Sequence, residues 1–324
     1  MNYEPLVSII IPVYNGGEFL SQAIESALNQ TYKKVEIIVV NDGSNDDGES
    51  EKIALSYNDK IRYFTKENGG VSTALNYAMK IMKGEWFSWL SHDDLYFPEK
   101  IQKQIEYINY LKDNNQNINI KKITIRSATQ SIDKNGKVIY VPSYKDVPEC
   151  EEPIDTIINN VFRYRLSGCS FLLPSSCIKD AGFFDPHIRT VSDVEYWYRL
   201  LFSGYKFYCL KSEILVKNRS HGQQVGKNKV NLFNKELNEL FINISDSINK
   251  VPLFNSVYNF EKYYLALKKR KCKKASIYVK NKYLKNSLNK FSYYIKLPIL
   301  AFYYNTIGTL RNIVRDIYRK KNVK

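Results

Sequence analysis

Three apolar runs constrain this chain more than any other feature: residues 7–14 (VSIIIPVY), 35–42 (VEIIVVND) and 86–90 (WFSWL). None alternates apolar with polar residues, so as strands they have no wet face and need cover on both sides. The segments between them read as helices. Phe19, Leu20, Ala23, Ile24, Ala27 and Leu28 share one helical stripe; Val71, Ala74, Leu75, Ala78 and Met82 share another. A polar helical stretch and one more strand, 61–66, complete the alternation. Strand and helix in turn predict an α/β fold, a mostly parallel sheet flanked by helices. The runs end in polar, turn-forming residues: Asn15, Asn41-Asp42 and Asp93-Asp94. Ligands bind such sheets beyond the carboxyl ends of the strands, so these residues are expected to converge on one crevice.

Taken singly, each acid is explained as a turn or cap residue. The pair Asp93-Asp94 is harder to dismiss, because adjacent carboxylates repel and partial burial worsens the cost. A hard divalent cation, Mg²⁺ or Mn²⁺, removes that problem and leaves positions for water and substrate phosphates. No GxxxxGK[ST] loop and no GxGxxG after the first strand occur in the chain. The pattern therefore points to a nucleotide diphosphate held mainly through the ion.

In sequence order, VSIIIPVYN, VEIIVVNDGS, ENGG with ALN, WLSHDDLYFPEKI, GCSFLLP and SDVEYWYRLLFSGYKF resemble the family 2 glycosyltransferases of GT-A fold over residues 5–225. The resemblance implies inverting transfer of a sugar from a nucleotide-diphosphate donor, a UDP-sugar first among them, to a hydroxyl of a glycan or lipid-linked acceptor. It implies that Pro12, Tyr14 and Asn15 line the nucleotide side and that Asp42 bonds the base or ribose. Asn68, Gly69 and Gly70 then lie by the nucleotide or diphosphate. Asp93 holds the metal with Asp94 beside it on the donor side, Arg219 closes over the donor phosphates and His221 ligates the metal. Asp193 falls at the general base, with an N-cap role as its alternative; Glu195 orients the acceptor or caps. The chain departs from the family pattern at Ser91, where the first acid of D-x-D is usual, at Ser192 and at Leu75, where a phosphate-facing Arg is usual. Trp86 and Trp89 read as core; Trp197 reads as nearer the acceptor.

Charge divides the chain. Of 48 Lys+Arg and 33 Asp+Glu, 18 basic and two acidic residues (Glu261 and Asp316) lie from residue 251 on, a local balance of +16 against −1 before it. A GT-A domain is thus expected over 1–225 and a basic helical extension over 226–324. The apolar, Tyr-rich stretch 291–310 is broken by Lys296, Pro298 and Asn305. Ile307, Leu310, Ile313, Val314 and Ile317 share a helical face beside Arg311, Arg315 and Arg319. This suits an anionic membrane surface or, equally, a bundle with a solvated Lys-rich face. No nucleic-acid motif accompanies the charge. Residues 1–5 run directly into strand-like sequence, so a cleaved signal peptide is not expected, and the five cysteines show no CxxC spacing. They read as reduced thiols of a cytoplasmic protein, peripheral at the inner face of a bacterial plasma membrane and serving capsule or O-antigen synthesis. Two rivals stand: a nucleotidyltransferase, disfavoured by the short acidic loop Asn15–Glu18, and a catalytically impaired carbohydrate-binding or scaffold protein, allowed by Ser91.

Overall fold

A computed structural model describes residues 2–144, 147, 149–151, 166–222, 229–248, 267 and 272–283. In chain order the elements are β1 (Val7–Val13), α1 (Leu20–Leu28), β2 (Val35–Asn41), α2 (Glu49–Leu55), β3 (Arg62–Thr65), α3 (Val71–Ile81), β4 (Trp86–Trp89), β5 (Leu95–Tyr96), α4 (Lys100–Asn114), β6 (Ile123–Ile132), β7 (Val138–Tyr140), β8 (Cys150–Glu151), β9 (Phe171–Pro174), α5 (Ser176–Ala181), α6 (Ser192–Phe202), β10 (Lys206–Arg219), α7 (Val230–Ile248) and α8 (Lys273–Tyr283). They fall into two compact units, one running to Glu236 and one from Leu237, so the division lies within α7.

The apolar runs form the centre of the first unit. β1 lies between β2 and β4, with β3 outside β2, and every one of these ladders is parallel. Ile10 pairs with Ile38 on one side and Trp89 on the other, so all three strands end on the same edge. All seven β1 residues are buried. Each apolar side chain of that size stabilises the fold by about 1.5–3 kcal/mol. Helices α1 and α3 turn Ala23, Ile24 and Ala27, and Ala74, Leu75 and Ala78, inward. Met79 takes the inward place expected for Met82, which lies past the end of α3 in extended conformation.

Beyond β4 the sheet changes character. The order is β3-β2-β1-β4-β9-β6-β10-β5, with β7 on β6 and β8 on β10. β9 runs antiparallel to both β4 and β6, whereas β6 and β10 are parallel across two register shifts between Leu210 and Val216. The α/β architecture stands, and the parallel reading holds for its first half. Four of the five free cysteines are buried and Cys150 is half-buried.

Of the basic extension, α7 buries Leu237, Leu240, Phe241 and Ile244, and α8 buries Ala275 and Val279. The stretch 291–310 and the Ile307–Ile317 face lie outside the described residues, as does most of the basic run 268–274. Among the described residues no helix is long and apolar enough to cross a membrane.

Candidate donor-binding and catalytic site

The parallel register brings the polar ends of β1, β2 and β4 together. Asp42 follows β2, and its N–H donates to the Val13 carbonyl at 2.8 Å. Asp42 is buried, 3% exposed. It accepts the N–H groups of Gly69 at 3.0 Å and Gly70 at 2.7 Å, and Lys66 Nζ at 2.6 Å. Asn68 Nδ2 donates to the Asp42 carbonyl at 2.9 Å, and Lys66 also reaches Thr73 Oγ1 at 2.9 Å. Residues 66–70 thus close into one turn ahead of α3. Gly70 sits there at φ +90°, a backbone strained for any L side chain. The sequence sets Asp42 against the base or ribose; in the structure its two oxygens hold this turn and so fix Asn68, Gly69 and Gly70.

On the neighbouring strand, Tyr14 is 44% exposed and its hydroxyl donates to Asn45 Oδ1 at 3.3 Å. Asn15 exchanges two bonds with Asn45, at 2.7 and 2.9 Å. Pro12 is buried within β1, and its carbonyl accepts from His92. The His92 ring packs back on Gly16, where an added methyl would come within 2.8 Å of its Cδ2. Burial there holds the imidazole below its ordinary range.

The turn after β4 carries the acids. Asp93 Oδ2 lies 2.9 Å from His221 Nε2. Asp94, placed on the donor side by the sequence, instead points inward and is 8% exposed. Its Oδ1 accepts the Arg219 N–H at 2.8 Å, and its Oδ2 lies 3.2 Å from Cys169 Sγ. Burial, then the Asp93 charge, push Asp94 up to about 8. It braces the turn from within. Arg219 is likewise turned from donor contact to protein contact. Its buried guanidinium donates to the carbonyls of Asp93 (2.8 Å) and Lys134 (2.7 Å) and to Gln22 Oε1 (2.8 Å), with the Phe19 ring 4.5 Å away. A planar fork suits this bracket because it satisfies several carbonyls at once.

Two ligands on adjacent vertices of a Mg²⁺ or Mn²⁺ octahedron stand about 3 Å apart when each bond is about 2.1 Å. Asp93 and His221 are hydrogen-bonded at that separation, and their carboxylate oxygen and imidazole nitrogen are donors that suit such an ion. Among the described residues no third His, Cys, Asp or Glu joins them. Water and phosphate oxygens are the natural partners for the other positions.

α6 opens after Val191, which is its N-cap, and no side chain caps it. Neither Ser192 nor Asp193 is the N-cap residue of α6. Asp193 lies in the first turn, with its Oδ1 accepting the Val194 N–H at 2.8 Å. Glu195 is paired with Arg199 at 2.5 and 2.9 Å, and Arg199 in turn holds the carbonyls of Ala181 and Phe183. Trp197 is fully buried and stacked on Phe171 at 4.2 Å, so it is core, as are Trp86 and Trp89. The lead-in to α6 packs on α3 and on the turn ahead of it. Phe184 and Asn76 exchange bonds at 2.8 and 2.9 Å, Ser72 Oγ donates to the Ile188 carbonyl at 3.4 Å, and Arg189 donates to the Gly69 carbonyl. Lys66, Cys169 and Arg189 escape the sequence reading. A cation at the end of a predicted strand is a usable signal for Lys66; nothing local marks the other two.

Comparison with known proteins finds relatives of this chain. Residues 8–164 match the family described as Glycosyl transferase family 2. A Rickettsia typhi glycosyltransferase is 44% identical over 229 residues, 71% of this chain and 68% of that one. The Staphylococcus aureus poly(ribitol-phosphate) beta-N-acetylglucosaminyltransferase TarP is 29% identical over 264 residues, 77% of this chain and 74% of that one. Three further Rickettsia relatives, 43–44% identical, are longer, and this chain spans only 36–38% of their length. The structure of S. aureus TarS 1–349 in complex with UDP-GlcNAc is similar in fold, with TM-score 0.61 and 16% identity over 81% of this chain and 71% of that one. On these matches and this fold, the chain belongs to the family 2 glycosyltransferases.

Proposed function

We propose that the chain is an inverting glycosyltransferase, moving a hexosyl or N-acetylhexosaminyl group from a UDP-sugar to a hydroxyl of a glycan or lipid-linked acceptor in bacterial surface-polysaccharide synthesis. One observation carries this reading: Asp93 and His221 stand 2.9 Å apart, at ligand spacing, on the strand-end edge that also holds the Asp42-anchored turn. The family match and the UDP-GlcNAc complex of TarS favour a UDP-sugar, and the name of TarP favours an N-acetylglucosaminyl group. The strong positive balance beyond residue 250 favours work at an anionic membrane face.

In the proposed reaction the acceptor oxygen bonds the anomeric carbon as the bond from that carbon to the diphosphate breaks. Asp193 takes the acceptor proton, a task that contributes about 10²–10⁴-fold. A divalent ion held by Asp93 and His221 would supply Lewis-acid neutralisation of the departing UDP. The turn Asn68–Gly70, together with Tyr14 and Asn15, orients the donor. Arg219 and Asp94 keep the acid turn in register with β10.

The test is a panel of UDP-, GDP- and dTDP-sugars, with Mn²⁺ or with EDTA, read as nucleotide diphosphate released. Release from a UDP-sugar that EDTA abolishes supports the reading. Donor binding without any release, with or without Mn²⁺, would replace it by a catalytically impaired carbohydrate-binding protein.

A further inference from the structure

The first turns of α7 lie outside every motif discussed above, yet Glu236 reaches the segment that carries Asp193. Its Oε1 accepts the Arg189 N–H at 2.9 Å. Its Oε2 accepts the Thr190 N–H at 2.8 Å and the Thr190 hydroxyl at 2.6 Å. From that anchored point the Arg189 guanidinium runs the opposite way, donates to the Gly69 carbonyl, and lies where a Gly70 side chain would stand. Gly69 and Gly70 are the two residues whose N–H groups Asp42 holds. Ser72 adds a bond to the Ile188 carbonyl at 3.4 Å.

We infer that Glu236 and Arg189 form a brace that sets Asp193 against the donor-side turn, making Glu236 a positioning residue for the transfer. The inference rests on the function proposed above. A carboxylate suits the post because it only accepts, so its two oxygens take three donors together. A glutamine there would aim an NH₂ at one set of donors. A thermally loose 188–193 segment would carry the base out of line, and a displacement of about 1 Å costs on the order of 10²-fold in rate.

The experiment compares Glu236→Gln, Arg189→Met and Glu236→Asp with the wild-type chain, using the UDP-sugar that the wild type turns over. Glu236→Gln and Arg189→Met should each lower kcat about 10- to 100-fold while donor KM stays within about 3-fold. Glu236→Asp should recover part of the loss. The double variant should be little worse than the poorer single, because the two act as a unit. Hydrogen exchange gives a readout independent of activity: Glu236→Gln should speed exchange at Arg189 and Thr190, and Arg189→Met should speed it at Gly69 and Gly70. Unchanged kcat in Glu236→Gln despite faster exchange overturns the inference, as does a loss confined to KM. Should Glu236→Gln fail to fold, Thr190→Val, which removes only the hydroxyl bond, carries the same kinetic test. A wild-type chain that releases no UDP sinks the proposed function, whereas unaltered exchange at Gly69 and Gly70 in Arg189→Met sinks the brace.

Discussion

Replacing Lys100 by methionine should stabilise the first unit at neutral pH and lose that advantage as the pH rises. Lys100 opens α4 with no exposed surface. Its Nζ donates to Ser88 Oγ at 2.8 Å and Gln104 Oε1 at 3.0 Å and lies 4.2 Å from the centre of the Tyr96 ring. Burial pushes the amine from 10.5 down to about 7. Between those values the unfolded chain holds a proton that the folded chain lacks, so wild-type stability rises with pH across that window. At 1.36 kcal/mol per unit, the cost of the buried amine is about 4 kcal/mol at pH 7 and about 1.5 kcal/mol at pH 9.5. Methionine fills similar space without a charge. It leaves Gln104 Oε1 without its donor, a loss of about 1–3 kcal/mol that does not vary with pH, while Ser88 Oγ keeps the Tyr96 hydroxyl and the Phe171 carbonyl. The stability difference between Lys100→Met and wild type should therefore fall by about 3 kcal/mol from pH 7 to pH 9.5. Urea unfolding followed by tryptophan fluorescence reads it, since Trp86, Trp89 and Trp197 all lie in the first unit. A difference that stays constant with pH would refute a neutral buried lysine at this place.

Arg219→Lys should cost about 3 kcal/mol in the same unfolding assay, because one ammonium cannot span the carbonyls of Asp93 and Lys134 and the Gln22 amide. The same variant should weaken Mn²⁺ binding measured by titration calorimetry, since the turn that carries Asp93 loses its bracket. Asp42→Asn leaves Lys66 without its counter-charge and turns an NH₂ toward backbone donors. It should weaken UDP binding at least about 10-fold by calorimetry and destabilise the fold by about 3 kcal/mol.

The apolar runs made β1, β2, β4 and the helices between them legible, because a strand without a polar face has few places to go. The edge on which Asn15, Asp42 and Asp93 meet follows from the same parallel geometry. The second half was harder to read. β9 is four residues long and reverses direction, a property of its partners rather than of FLLP. Which way a polar side chain turns was also hidden. Asp93 and Asp94 are adjacent in sequence, yet one faces His221 and the other faces Cys169 and the Arg219 backbone. Arg219 reads as a phosphate cation from its sequence neighbourhood, but its partners, Gln22 and Lys134, come from far along the chain. Trp197 and Glu195 looked available on a helix considered alone; Phe171 and Arg199 claim them once the sheet is in place.

The most direct test of the central claim compares Asp193→Asn with the wild-type chain in UDP release driven by acceptor, with UDP affinity measured on both. If Asp193 takes the acceptor proton, the variant binds UDP as the wild type does and loses transfer by about 10²-fold or more. Turnover close to wild type would contradict the base assignment and, with it, the site described for this chain.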